Sequence, residues 1–169
     1  MDDALAMGVP GFVVAALVPG IIRATRSHPV WHHVSLPAGV ALPLFLVMHT
    51  ATTLGAAFHG VATAAIHWFW EAALIGSGFL FWLPVLGGRH RLSEPGRCPY
   101  LFLTIPLLDL PALLVIAQGD AVGGLSMIVG MLPLGAVAMA VTWRWATAEE
   151  LRDTRQRHPA RLSGPASPR

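Results

Sequence analysis

The sequence has no lysine and a single cysteine, and charged residues make up only 12% of its 169 positions. With Cys98 alone, neither an internal disulfide framework nor a cysteine-based zinc site can form. Soluble domains carry about a quarter charged residues, so this scarcity excludes an ordinary globular enzyme. Disorder is excluded as well, because 54% of the chain is hydrophobic and the mean hydropathy is +0.61. All 11 basic residues are arginine, which reads as a bias of genomic composition. The net charge of +2 comes largely from the C-terminal tail, so no nucleic-acid surface is expected. Also missing are a Gly-rich phosphate loop, a Ser/His/Asp pattern and an HExxH motif.

What is present is length in apolar runs. A helix crosses about 30 Å of hydrocarbon with roughly 20 mainly apolar residues. Five stretches qualify, at about 4–22, 34–58, 60–86, 100–117 and 121–143. The chain opens Met1-Asp2-Asp3, without the positive start of a secretory signal, so the first stretch reads as a retained helix. The expected fold is all-α: a polytopic membrane helix bundle with five transmembrane helices in a domain of residues 1–146. A charged cytoplasmic tail, 147–169, follows as a short amphipathic extension running into disorder. Arginines 23, 26, 89, 91 and 97 lie in alternate loops and six more follow Trp143. The positive-inside rule then puts the N-terminus outside and the C-terminus in the cytoplasm, in the cytoplasmic (inner) membrane of a bacterium. Two very short connections, His59-Gly60 and Gln118-Gly119-Asp120, make antiparallel hairpins that meet at the outer face.

An ionisable residue at membrane depth is costly and marks a functional hypothesis. Four occur here: His49, His67, Glu71 and Asp109. At 1.5 Å per residue from the outer ends, His49 lies roughly 15 Å deep, His67 roughly 12 Å, Glu71 about 18 Å and Asp109 roughly 14 Å. Three helices thus bring their costly residues to one layer. His67 and Glu71 are spaced to share a helix face, and a carboxylate on the far nitrogen of a metal-bound imidazole fixes its orientation. Thr52 and Thr53 share the face of His49 and offer hydroxyls to its ring. Met127 and Met131 share a face of the last span, and imidazole with thioether suits Cu(I). His59, at a hairpin tip, is a possible entry ligand.

Each feature also has a structural reading. His49 can hydrogen-bond a backbone carbonyl across a helix pair, and His67 with Glu71 can be a satisfied structural pair. Met127 and Met131 can be core filler. Asp109 can cap a carbonyl freed by Pro106 or Pro111. His28, His32, His33 and Trp31 cluster where interfacial residues gather.

Spans three and four carry a recognisable pattern. His67-x3-Glu71, then Gly78-Phe79-Leu80-Phe81-Trp82-Leu83-Pro84-Val85-Leu86-Gly87, a basic loop from Arg89 to Pro99, and Tyr100-Leu101 resemble the CtaG family of bacterial cytochrome c oxidase assembly factors. The family's preceding helix also bears a histidine, matching His49. The resemblance covers roughly 34–143. Family members are usually longer and begin with a His/Met-bearing helix that has no counterpart here; a second His commonly stands at the Glu71 position, and a family Glu falls at Trp70. The resemblance implies His49 and His67 as metal-handling residues.

The resulting expectation is a non-enzymatic membrane accessory protein. It would assist oxidase assembly by holding Cu(I) and passing it on, with cytochrome c oxidase subunits or a copper donor as partners besides the lipid bilayer. Two alternatives stand: a haem b electron-transfer subunit ligated by His49 and His67, and a structural subunit of a membrane complex.

Overall fold

The computed structural model describes residues 8–34, 36–59, 64–87 and 89–162, which are helices and short connections with no strand among them. Helix α1 is Gly8–Ala24, α2 is the single turn Val30–Val34, α3 is Ala38–His59, α4 is Ala64–Leu86, α5 is Glu94–Ala117 and α6 is Ala121–Leu162. Four of them are long and apolar enough to cross a membrane, over Ala38–Gly55, Trp68–Leu86, Glu94–Ala117 and Ala121–Thr154. The described part of α1 is apolar but shorter, about 26 Å by helical rise. The first residues expected in its span, the 60–63 connection and the end of the tail lie outside the described residues.

The helices close into a ring. In spatial order α1 packs on α4, α4 on α3, α3 on α5, α5 on α6, and α6 returns to α1. The last residues of α3 and α5 lie at one end of the ring, called here the hairpin end. The α5–α6 turn follows directly from its residues: Gly119 takes a positive φ of 102°, and Asp120 accepts the Gly123 amide at 2.8 Å to cap α6. At the far end, Ser93 caps α5 by accepting the Gly96 amide at 3.3 Å. That cap starts α5 at Glu94, earlier than the apolar run that begins at Tyr100. The last helix continues far past the expected span, for 42 residues. Its Ala, Glu, Leu, Arg and Gln are strong helix formers even where they are too polar for lipid, and Arg152 pairs with Glu149 at 3.2 Å.

Glycines set the closest helix approaches. A Cβ on Gly130 of α6 would stand 2.5 Å from the Gly8 carbonyl oxygen, and one on Gly124 would stand 2.6 Å from that of Ala112. Small residues here let backbones meet where lipid supplies no hydrophobic drive.

A proline explains the seam between α1 and α4. Pro19 has no N–H for the preceding turn, and the helix before it widens to a π-turn over Val13–Leu17, in which the Val18 amide bonds to the Val13 carbonyl. The Val14 carbonyl would then look to residue 19 for a donor and finds proline. Trp82 of α4, fully buried, supplies it: its indole N–H donates to the Val14 oxygen at 2.8 Å. Gly78, one turn earlier on α4, leaves room for the Val14 side chain, whose Cγ1 would lie 2.9 Å from an added Cβ. The core continues from Trp82 through Phe81, which stacks on Tyr100 at 5.2 Å and meets Phe45 at 4.8 Å. The Tyr100 hydroxyl donates to the Phe81 carbonyl at 3.1 Å. At the end away from the hairpins, Trp31 stacks on Phe79 and donates to the Thr25 carbonyl. It is a packing residue as well as one of the end cluster.

Candidate functional site

Helix α3 turns one narrow stripe inward. Its buried residues are Ala41, Phe45 and His49, spaced four apart, and the rest of the helix is half-buried or exposed where described. A histidine therefore occupies the position that the helical period reserves for the interior. His49 is 5% exposed, and its Nε2 is the one buried side-chain nitrogen or oxygen among the described residues without a hydrogen-bond partner. Buried polar groups are nearly always paired, so an orphan of this kind calls for an explanation in terms of a ligand, a water or an ion. Phe45 lies against the imidazole with ring centroids 6.1 Å apart. The main chain of Leu108 on α5 lies beside it. The ladder of Phe45, Phe81 and Tyr100 closes the site on the side away from the hairpin end.

The two threonines behave differently from one another. Thr52 donates back to the carbonyls of Met48 at 2.8 Å and His49 at 2.9 Å, so its hydrogen is spent on its own helix and not on the ring. Thr53, one turn beyond His49 and half-buried, makes no side-chain hydrogen bond among the described residues. Helical serines and threonines elsewhere in the described residues, Thr50 excepted, donate to a carbonyl of the preceding turn. His49 and Thr53 thus place two uncommitted polar groups in sequence along the inward side of α3, leading toward the hairpin end.

The common depth of His49 and Asp109 has a counterpart in space. Counted from the hairpin end, His49 and Leu108 are each about 14–15 Å down, and the Leu108 main chain does lie beside the imidazole. Asp109, one residue on, shares that layer but not that face. It belongs to the stripe of Ile105, Ala112 and Ile116, of which Ala112 and Ile116 abut Gly124 of α6. Its carboxyl is half-buried and makes no hydrogen bond among the described residues.

Met131 is buried, with its terminal methyl against Gly11 of α1, and Met127 is half-buried one turn nearer the hairpin end. The methionines therefore sit where α6 meets α1, whereas His49 sits where α3 meets α5. Glu71 is half-buried on the α4 stripe that continues through Leu74, Gly78 and Trp82. The side chains of His67 and His59 lie outside the described residues, and with them the pairing of His67 with Glu71 and the entry role of His59. Among the described residues no group of three or more His, Cys, Asp or Glu side chains converges to hold a metal ion. Near the far end, His33 contacts the Pro29 carbonyl through Nδ1 at 3.2 Å, and His28 Nδ1 accepts the Val30 amide at 3.5 Å, both local turn contacts.

Several positions were invisible to pattern reading. The indole-to-Val14 bond has one legible signal, Pro19 inside an apolar run. The Tyr100 bond has none beyond the rule that a buried hydroxyl seeks a partner. No protein-family model, no curated protein and no solved structure matches this chain.

Proposed function

We propose that this chain is a five-span accessory protein of a bacterial cytoplasmic membrane that assists cytochrome c oxidase assembly, with His49 as the residue that takes and passes on Cu(I). In this reading α1 is the fifth span, the N-terminus and the hairpin end face outward, and the arginine-bearing loops and the long end of α6 face the cytoplasm. The observation that carries the reading is the Nε2 of His49, buried among apolar and aromatic groups without a partner. A neutral imidazole nitrogen is a good ligand for Cu(I). Nε2 makes no hydrogen bond although the Leu108 main chain lies within reach of the ring, and Thr53 and the hairpin end lie on the side from which an ion would come. Cargo transfer by ligand exchange needs no acid or base, so the protein works without catalysis. The aromatic ladder below the ring fixes its position and blocks passage further inward.

The test is metal content by mass spectrometry on detergent-purified protein offered Cu(I) under reducing conditions, with a visible spectrum of the same sample. Copper near one per chain and no Soret band is the expected result, with loss of that copper in His49→Ala at unchanged helicity. Stoichiometric copper retained by His49→Ala overturns the assignment of the site. A Soret band replaces it with haem ligation, and neither signal leaves a structural subunit.

A further inference from the structure

Three arginines gather where α5 enters the bundle and α6 leaves it. The α5–α6 hairpin sets Gly124 against Ala112 and Ile116, and the same antiparallel register brings Arg97 within about a turn of Arg144 at the far end. Arg91, in the loop before α5, joins them: its charge and that of Arg144 both act on the Arg97 guanidinium. Arg97 is half-buried and held in place. Its Nε donates to the Leu92 carbonyl at 3.2 Å, and the Leu92 amide donates in turn to the Pro84 carbonyl of α4 at 2.8 Å. The outer edge of the guanidinium, Nη1 and Nη2, is left uncommitted. Arg91 and Arg144 are exposed, and none of the three makes an ion pair among the described residues. Glu94, on the first turn of α5, is the one carboxylate among the described residues whose charge also reaches Arg97. Positive charge is therefore in excess.

We propose that this cluster holds the phosphate of an anionic phospholipid, with Arg91, Arg97 and Arg144 as its ligands. The proposal rests on the membrane part of the proposed function, and neither on copper nor on which end faces the cytoplasm. Like charges brought together repel, and a shared anion turns that cost into attraction. The edge of a guanidinium offers two parallel N–H donors, which match two oxygens of one phosphate. Depth selects lipid as the source of that phosphate. Arg144 stands between Trp143, 73% exposed, and Trp145, and tryptophan gathers at the level of lipid headgroups. Tyr100, where the apolar run of α5 begins, follows Arg97 by one turn. Deeper than that level, Leu103 of α5 and Met139 of α6 are exposed, so acyl chains attached to the phosphate meet apolar surface. Basic pockets between membrane helices bind phosphate headgroups in this way.

The test is native mass spectrometry of the detergent-purified chain, whose membrane residence is first checked by resistance to alkaline extraction. The probes are phosphatidylglycerol, phosphatidylethanolamine with the same acyl chains, and inorganic phosphate. Phosphatidylglycerol is expected to be retained in preference to phosphatidylethanolamine, and not to be displaced by an equal concentration of inorganic phosphate. Arg91→Gln, Arg97→Gln and Arg144→Gln each weaken its binding by about 5-fold, the roughly 1 kcal/mol per basic residue at a membrane surface converted at 25 °C. Arg23→Gln, which removes one exposed charge near the end of α1, leaves it unchanged. The Arg91 and Arg144 side chains make no hydrogen bond among the described residues, so their variants decide the matter if loss of the Leu92 bond unfolds Arg97→Gln. Equal binding of the two lipids, displacement by inorganic phosphate, no loss in Arg91→Gln and Arg144→Gln, or an equal loss in Arg23→Gln would overturn the site. Extraction by alkali would overturn the membrane reading itself. Copper lost or kept by His49→Ala does not bear on lipid retention, so the two readings fail separately.

Discussion

Replacing Trp82 by phenylalanine removes one N–H from the centre of the bundle and keeps most of the ring. The structure gives the cost in parts. The indole is fully buried and bonds to the Val14 carbonyl at 2.8 Å. Without it, that carbonyl has no second donor, because the π-turn commits the Val18 amide to Val13 and Pro19 has none to give. A buried unsatisfied carbonyl costs about 1–3 kcal/mol, and the smaller ring leaves a void worth roughly 1 kcal/mol. Trp82→Phe should therefore lose about 2–4 kcal/mol, read as a shift of the unfolding midpoint when detergent-solubilised protein is titrated with SDS and followed by far-ultraviolet circular dichroism.

The second arm of the experiment tests the cause. Pro19→Ala returns an N–H and lets the helix resume its ordinary ladder, in which the Val18 amide reaches Val14. In that background the carbonyl is satisfied within its own helix, and Trp82→Phe should cost only the void. The double-mutant cycle should show a coupling of about 1–3 kcal/mol, the cost of the stranded carbonyl, between two residues on different helices. Losses that simply add would refute the account of the π-turn, whatever the size of each.

Two further substitutions probe the same bundle by the same titration. Gly124→Ala places a Cβ 2.6 Å from the Ala112 carbonyl oxygen and against the Ile116 side chain, and should cost about 1–3 kcal/mol by forcing α5 and α6 apart. Gly76→Ala has no heavy atom within 4 Å of its new Cβ and should be neutral or gain up to about 1 kcal/mol from helix propensity; equal losses at the two sites would deny that contact distance sets the cost. Tyr100→Phe keeps the stack on Phe81 and loses only the bond to its carbonyl at 3.1 Å, a loss of about 1 kcal/mol, and an unchanged midpoint would show that bond to be idle.

Much of the architecture can be read from local rules because lipid makes the choice of structure narrow. Apolar runs must be helices there, and the glycine and aspartate of Gln118-Gly119-Asp120 fix a tight hairpin on their own. Depth is also legible, since rise per residue is constant, and the Leu108 main chain meets His49 where counting places it. Direction around the helix axis is not legible in the same way. Asp109 and His49 share a layer, yet a single step along α5 puts the carboxyl on the stripe of Ala112 and Ile116, which abuts α6, while the Leu108 main chain lies beside the imidazole. Helix ends are misplaced for a different reason. Hydropathy stops α6 near Trp143, but a helix that leaves the membrane keeps its hydrogen bonds in water, and its polar residues favour the same backbone.

The aromatic motif that runs from Gly78 to Gly87 and on to Tyr100 takes on a physical meaning in this arrangement. Gly78 admits Val14, Trp82 satisfies the carbonyl that Pro19 strands, and Phe81 stacks on Tyr100 while accepting its hydroxyl bond. Each of these residues is occupied with packing, and none presents a free donor or acceptor side chain to a ligand. A motif so occupied speaks for the helix arrangement of this chain and leaves the chemistry to residues outside it. His49 is such a residue, connected to the motif through Phe45, which lies against both the imidazole and Phe81. The two roles therefore come apart under mutation: changes along the ladder unfold the bundle and take the site with it, whereas a change at His49 removes the one buried side-chain nitrogen left unpaired among the described residues and leaves the ladder standing.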